Sequence, residues 1–85
     1  MRFELVKLRK TLEPTPEEMK TRKESVRNTK GLFQEEMANR LDITRQHYSN
    51  LENGLTNPSF ELMVKFGEVF KGEYEDMWEL WKNEQ

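Results

Sequence analysis

The stretch "QEEMANRLDITRQHYSNLEN", residues 34–53, contains two short helical patterns separated by a break of a few residues. Its apolar side chains recur so that helices at 34–41 and 45–53 can close around one shared seam, formed by Met37, Leu41, Ile43, Tyr48 and Leu51. The small Ala38 lies where the two helices would approach most closely. Asp42 occupies the turn and tolerates a left-handed backbone moderately well, and Thr44 can cap the second helix. The pattern predicts a helix-turn-helix unit.

The outward side of the second helix carries polar residues suited to reading DNA bases. At 100° per residue, the arc opposite Tyr48 and Leu51 holds Arg45, Gln46, Ser49, Asn50 and Asn53, with His47 at its edge. Arg pairs bidentately with guanine, and Asn or Gln with adenine. A helix that needs only a solvated face more usually carries Glu and Lys. The pattern favours a helix that enters a major groove, with an ordinary solvated face as the alternative.

The flanking sequence predicts three further helices. "TPEE" at 15–18 is a capping box with proline at the first helical position, and "KG" at 30–31 is a stop signal, so a helix is expected at about 16–29. "NPS" at 57–59 opens another helix, with Asn57 as the cap and Pro58 at the first helical position. Aromatic residues between 74 and 81 indicate a last helix. Residues 1–13 are ambiguous. Leu5, Leu8 and Leu12 would share a helix face, but "RFELV" alternates as a strand does, and an extended arm is favoured.

The chain resembles the lambda-repressor/Cro-like (Xre-type) helix-turn-helix family over about residues 16–72. The resemblance rests on "VRNTKGLFQEEMA", "ITRQHYSNLENG" and "NPSFELMVKF". It implies an all-α, compact domain of four to five helices plus a short N-terminal arm. The expected divisions are the arm at 1–14, the DNA-binding domain at 15–72 with the helix-turn-helix at 34–53, and a C-terminal helix at 73–85 that is a candidate dimer contact.

The resemblance also implies roles for individual residues. Base contacts are expected from Arg45, Gln46 and Asn50. Phosphate contacts are expected from Gln34, Thr44, His47, Ser49 and Asn53. An arginine of the family's first helix pairs with the glutamate of "ENG", which implies an ion pair between Arg27 and Glu52.

This sequence departs from the family pattern at three places. Phe33 stands where a capping Thr or Ser is usual before the glutamine, and Asp42 stands where the turn usually has glycine. The loop at 55–57, "LTN", lacks the basic residues that are common there.

Composition limits the classes of protein and the kinds of site that this chain can contain. The 85 residues make one small domain with 35% charged residues, no cysteine and one histidine. No catalytic, metal-binding or cofactor motif is present, so we expect no enzyme, no metal and no cofactor. No small-molecule ligand is evident. No apolar run approaches the roughly 18 residues that a membrane span needs, and the N-terminus lacks a signal-peptide pattern. Both observations favour a cytoplasmic protein without a membrane contact.

Charge is uneven along the chain, although the net charge is only −2. Residues 1–30 carry 9 Lys/Arg and 5 Asp/Glu, whereas residues 59–85 carry 3 and 7. A local basic surface can therefore exist on an acidic chain.

The favoured function is a sequence-specific regulator of transcription, a repressor or controller. It would bind a palindromic operator in double-stranded DNA as a homodimer. The alternative is a protein-interaction module, of antitoxin or anti-repressor type, that keeps the fold but binds another protein. The operator, the regulated genes and any effector do not follow from the sequence.

Overall fold

The helix-turn-helix pair is central to the fold. The computed structural model describes residues 1–71. They form five α-helices, α1 (Phe3–Thr11), α2 (Pro16–Thr21), α3 (Gln34–Leu41), α4 (Arg45–Glu52) and α5 (Phe60–Phe70), with a 3₁₀ turn at Glu24–Val26 between α2 and α3. No strand occurs within these residues, and the expected all-α class is confirmed. The helix predicted at 73–85 lies outside the described residues.

The core forms where α3, α4 and α5 meet, with α1 packed on α4. The predicted seam is confirmed, since Met37, Leu41, Tyr48 and Leu51 are fully buried and Ile43 packs at the edge. Ala38 is 1% exposed and lets the two helices approach closely. The remaining core side chains come from the other elements: Leu5, Leu32, Leu62, Met63 and Phe66. Within the described residues, no helix is long and apolar enough to cross a membrane.

The first residues form a helix, so the preference for an extended arm is wrong. Leu5 is completely buried, and Leu8 and Leu12 are half-buried on the same side. An extended segment needs a neighbouring strand to pair its backbone groups, and residues 1–71 provide none. A helix pairs these groups internally while it places Leu5 in the core.

The helix predicted at 16–29 is much shorter than expected. Its start is confirmed: the Thr15 hydroxyl accepts the Glu18 amide, and the Glu18 carboxylate accepts the Thr15 amide. It ends at Thr21 because the backbone of Arg22 turns extended and its side chain enters the interior. No residue of α2 is buried, so no apolar face supports a longer helix.

The last described helix begins two residues later than predicted. Ser59, and not Asn57, caps α5, its hydroxyl accepting the amide of Leu62. The α5 residues Phe60 and Val64 keep 62% and 37% of their surface exposed. The helix therefore carries apolar side chains outside the side that faces the core.

Candidate nucleic-acid interface

The turn between α3 and α4 is built by two residues. Asp42 adopts the left-handed conformation, with φ 58°, and its amide donates to the carbonyls of Ala38 and Asn39. Thr44 then caps α4, its hydroxyl oxygen accepting the amide of His47 at 3.1 Å. Asp therefore occupies the backbone conformation that glycine adopts most easily.

The outward side of α4 has the predicted composition. Arg45, Gln46 and His47 are exposed and Asn50 is half-buried, while Tyr48 turns into the core. Ser49 is half-buried and Asn53 is exposed at the end of the helix, where its amide lies 3.4 Å from the Ser49 hydroxyl. All predicted α4 contacts thus lie together on one solvent-facing side.

Two of the proposed base-reading side chains are linked to each other. The Gln46 amide nitrogen donates to the Asn50 side-chain oxygen at 2.9 Å. The bond restricts both side chains and leaves the Gln46 oxygen as an acceptor beside the Asn50 amide donors. A neighbouring acceptor and donor match the N6 donor and N7 acceptor of adenine.

Gln34, the predicted phosphate contact of α3, is held from inside the protein. Its amide nitrogen donates to the Glu52 carboxylate at 2.9 Å. Glu52 also accepts two hydrogen bonds from Arg9, at 2.6 and 3.3 Å. Burial alone would raise the pKa of Glu52, but the hydrogen bonds from Arg9 and Gln34 outweigh it and the pKa is lowered.

The predicted pairing of Arg27 with Glu52 is wrong. Arg27 is exposed, and its guanidinium donates to the Arg22 carbonyl at 3.4 Å. Arg9 takes the predicted place because α1, and not the segment at 16–29, packs on α4. The signal that could have found it is the Leu5, Leu8 and Leu12 spacing, which places Arg9 one turn after Leu5 on the inner side.

Arg2 is a further structural residue that the sequence patterns did not reveal. It is 4% exposed, and its guanidinium donates to the carbonyls of Leu51 and Thr56 and to the Asn57 side chain. Arg2 therefore fixes the loop that leaves α4.

The start of α3 is capped without a hydroxyl residue. The Phe33 amide donates to the Glu36 carboxylate at 2.8 Å, and Glu36 also accepts two bonds from Arg22. Burial alone would raise the pKa of Glu36, but these hydrogen bonds lower it. Glu36 thus satisfies the Phe33 amide, which is the half of a capping box that needs no hydroxyl at position 33. No cluster of three or more metal-binding side chains occurs among residues 1–71.

Comparison with known proteins agrees with this geometry. A family model described as helix-turn-helix matches residues 24–76. The chain belongs to the helix-turn-helix family. Two proteins of Archaeoglobus fulgidus, both named as uncharacterized HTH-type transcriptional regulators, are 37% identical over 68 residues and 36% identical over 69. These matches cover 74% and 75% of this chain and 97% of each relative. No solved structure matches the chain significantly.

Membership of the helix-turn-helix family confirms the resemblance to lambda-repressor/Cro-like proteins. The family match begins at residue 24, yet the arginine that pairs with Glu52 comes from α1, outside the matched residues. Residues 12–33 therefore separate this arginine-bearing helix from the helix-turn-helix. The misassigned Arg27 lies in this connection.

Proposed function

We propose that this chain is a transcriptional repressor or controller that acts in the cytoplasm. It binds double-stranded operator DNA as a homodimer, with α4 in the major groove. The observation that carries the proposal is the outward side of α4, where Arg45 lies exposed beside the linked amides of Gln46 and Asn50. These side chains offer the hydrogen-bonding groups that distinguish guanine and adenine.

The phosphate contacts fix the docking of α4. They come from Gln34, Thr44, His47, Ser49 and Asn53. The Thr44 hydroxyl oxygen is used as a helix cap, and its O–H remains available as a donor. Gln34 is held by Glu52 at the first turn of α3, so its remaining amide hydrogen has a restricted direction.

A dimer reads more base pairs than one recognition helix can reach. Two symmetric copies place two α4 helices in successive major grooves about 34 Å apart, which requires a palindromic operator. We assign the interface to α5 and the chain that follows it. Support comes from Phe60 and Val64, neighbours one turn apart on α5 that keep 62% and 37% of their surface exposed.

A protein-interaction module remains the second candidate. The observation that favours it is the loop at 55–57, which has no basic residue and exposes 72% of Leu55. An uncharged loop with an exposed leucine fits a protein partner better than a phosphate backbone. The outward side of α4 favours DNA, and we therefore rank DNA first.

Selection of bound duplexes from a random pool tests the proposal. We expect enrichment of an imperfect palindrome and a dissociation constant on the order of 10⁻⁷–10⁻⁹ M in moderate salt. Sedimentation equilibrium at micromolar concentration should show a dimer. An unenriched pool, with all duplexes bound alike, would favour the protein-interaction module.

Substitutions of two glutamines distinguish base recognition from phosphate contact. Gln46→Ala should weaken binding by about 1–3 kcal/mol and relax the preference at one base pair per half-site. Gln34→Ala should weaken all sequences alike, since it contacts phosphate. The melting temperature of each variant controls for folding, because Gln34 also contacts Glu52. Equal loss of base preference in both variants would contradict the assignment.

A further inference from the structure

Two ion pairs of opposite polarity hold the connection at residues 12–33 against α3. Glu36 of α3 pairs with Arg22, at 2.7 and 2.8 Å. One turn later, Arg40 of α3 pairs with Glu18 of α2, at 2.7 and 3.1 Å. One side of α3 is thus devoted to holding this connection in place.

Arg22 also shapes the end of the connection. Its guanidinium donates to the carbonyls of Arg27, Thr29 and Gly31, at 3.2, 2.8 and 2.8 Å. It also lies 4.1 Å from the centre of the Phe33 ring. The backbone from 27 to 31 is therefore wrapped around one buried cation, and its side chains are left to point outward.

Most of the charged side chains that residues 20–30 expose are basic. Lys20, Lys23, Arg27 and Lys30 are all exposed, and none of them pairs with a carboxylate within the described residues. Glu24 is the one acidic side chain exposed between residues 20 and 30. By contrast, the arginines at 2, 9, 22 and 40 are buried or half-buried, and each makes several internal hydrogen bonds. The exposed Arg27 donates to the Arg22 carbonyl at 3.4 Å.

A close backbone contact places the end of this segment against the end of α1. Gly31 has φ +82°, and a Cβ there would lie 2.7 Å from the carbonyl oxygen of Lys10. Lys10 and Lys30 line one open cleft of about 420 Å³, together with Glu13 and Asn28. Gln34, the proposed phosphate contact, follows three residues after Gly31.

We propose that the basic segment, residues 20–30, is a second phosphate-binding surface that extends the DNA contact beyond the helix-turn-helix. Arg27 and Lys30 are its principal contacts, and they supply the attraction that the uncharged loop at 55–57 lacks. This inference rests on the proposed function. The rigid attachment to α3 matters because a cation held in place loses less conformational freedom on binding than one on a free loop.

Salt dependence is the measurement that tests this surface. Each phosphate neutralised by Lys or Arg contributes about 0.9 to the slope of log K against log salt concentration. The double variant Arg27→Gln, Lys30→Gln should therefore lower the slope by about 2 per bound protomer. Affinity should fall for the selected operator and for random duplex by the same factor, with no change in base preference.

A charge-matched control variant tests whether the change in salt dependence is specific to residues 20–30. The variant Lys7→Glu alters an exposed cation of α1, outside the segment and outside the proposed dimer interface, and it changes the net charge by the same amount. It should leave the slope near the wild-type value. Both variants alter exposed side chains, and their melting temperatures should match that of the wild type.

The outcomes separate this inference from the proposed function. If the double variant and the control behave alike while Gln46→Ala still loses base preference, the second surface is refuted and the proposed function stands. If the double variant changes base preference, the phosphate role is also refuted. If the wild type selects no DNA sequence and its binding to random duplex is insensitive to salt, both proposals fail.

Discussion

The bond between Arg9 and Glu52 yields the sharpest stability prediction. Glu52→Gln removes one charge of this pair while it keeps the shape of the side chain. The Glu52 side chain is 2% exposed and that of Arg9 is 12% exposed, and the shortest distance between them is 2.6 Å. The substitution therefore leaves a largely buried guanidinium without its counterion.

The size of the effect follows from this burial. Removing one partner of a buried ion pair costs about 3–5 kcal/mol, compared with about 0–1 kcal/mol for an exposed pair. Arg9 keeps some water contact and its bond to the Leu32 carbonyl at 2.8 Å, so we expect the lower end, about 3 kcal/mol. For a domain of this size, this corresponds to a fall in melting temperature of about 12–24 °C.

A double-mutant cycle measures the pair directly. Arg9→Met, Glu52→Gln and the double variant are unfolded with urea, and the same cycle is repeated with Arg27→Met in place of Arg9→Met. The first cycle should give a coupling energy above about 1 kcal/mol, and the second should give nearly zero. Coupling to Arg27 as large as coupling to Arg9 would refute the assignment of α1 as the partner of α4.

Two further predictions concern backbone strain and acid. Gly31→Ala should destabilise the fold by at least about 1 kcal/mol more than Gly54→Ala in thermal unfolding. Both glycines have positive φ, but only at Gly31 would a Cβ meet neighbouring backbone, so equal costs would contradict the close contact. Hydrogen bonds from Arg40 lower the pKa of Glu18, and arginine partners overcome burial to lower the pKa of Glu36 and Glu52. These pairs contribute stability that is present above a glutamate's usual pKa of about 4.3, so the melting temperature should fall as the pH drops below that value. The fall should be shallower in Glu52→Gln, and an identical pH profile would show that Glu52 does not contribute.

Local patterns in the sequence were sufficient to predict the helix-turn-helix. The cap at Thr44 and the outward polar side of α4 depend on residues within one or two turns of each other, and the seam from Met37 to Leu51 follows from the apolar periodicity within each of two helices. Helical periodicity and capping act over this range, so the sequence specifies them without knowledge of distant contacts. The all-α class follows from the same signals.

Contacts between distant residues were decided only by the tertiary structure. Arg27 lies within "VRNTKGLFQEEMA", one of the stretches that carry the family resemblance, whereas Arg9 lies 43 positions from Glu52 and yet reaches it. Likewise α2 stops at Thr21 because Arg22 finds Glu36, 14 residues away. A buried charge takes whichever partner the packing brings within about 3 Å, because desolvation penalises any charge left alone. The sequence by itself determined where the helices of the motif begin and which α4 residues face outward. Only the packing of α1 on α4 determined that Arg9 is the arginine that pairs with Glu52.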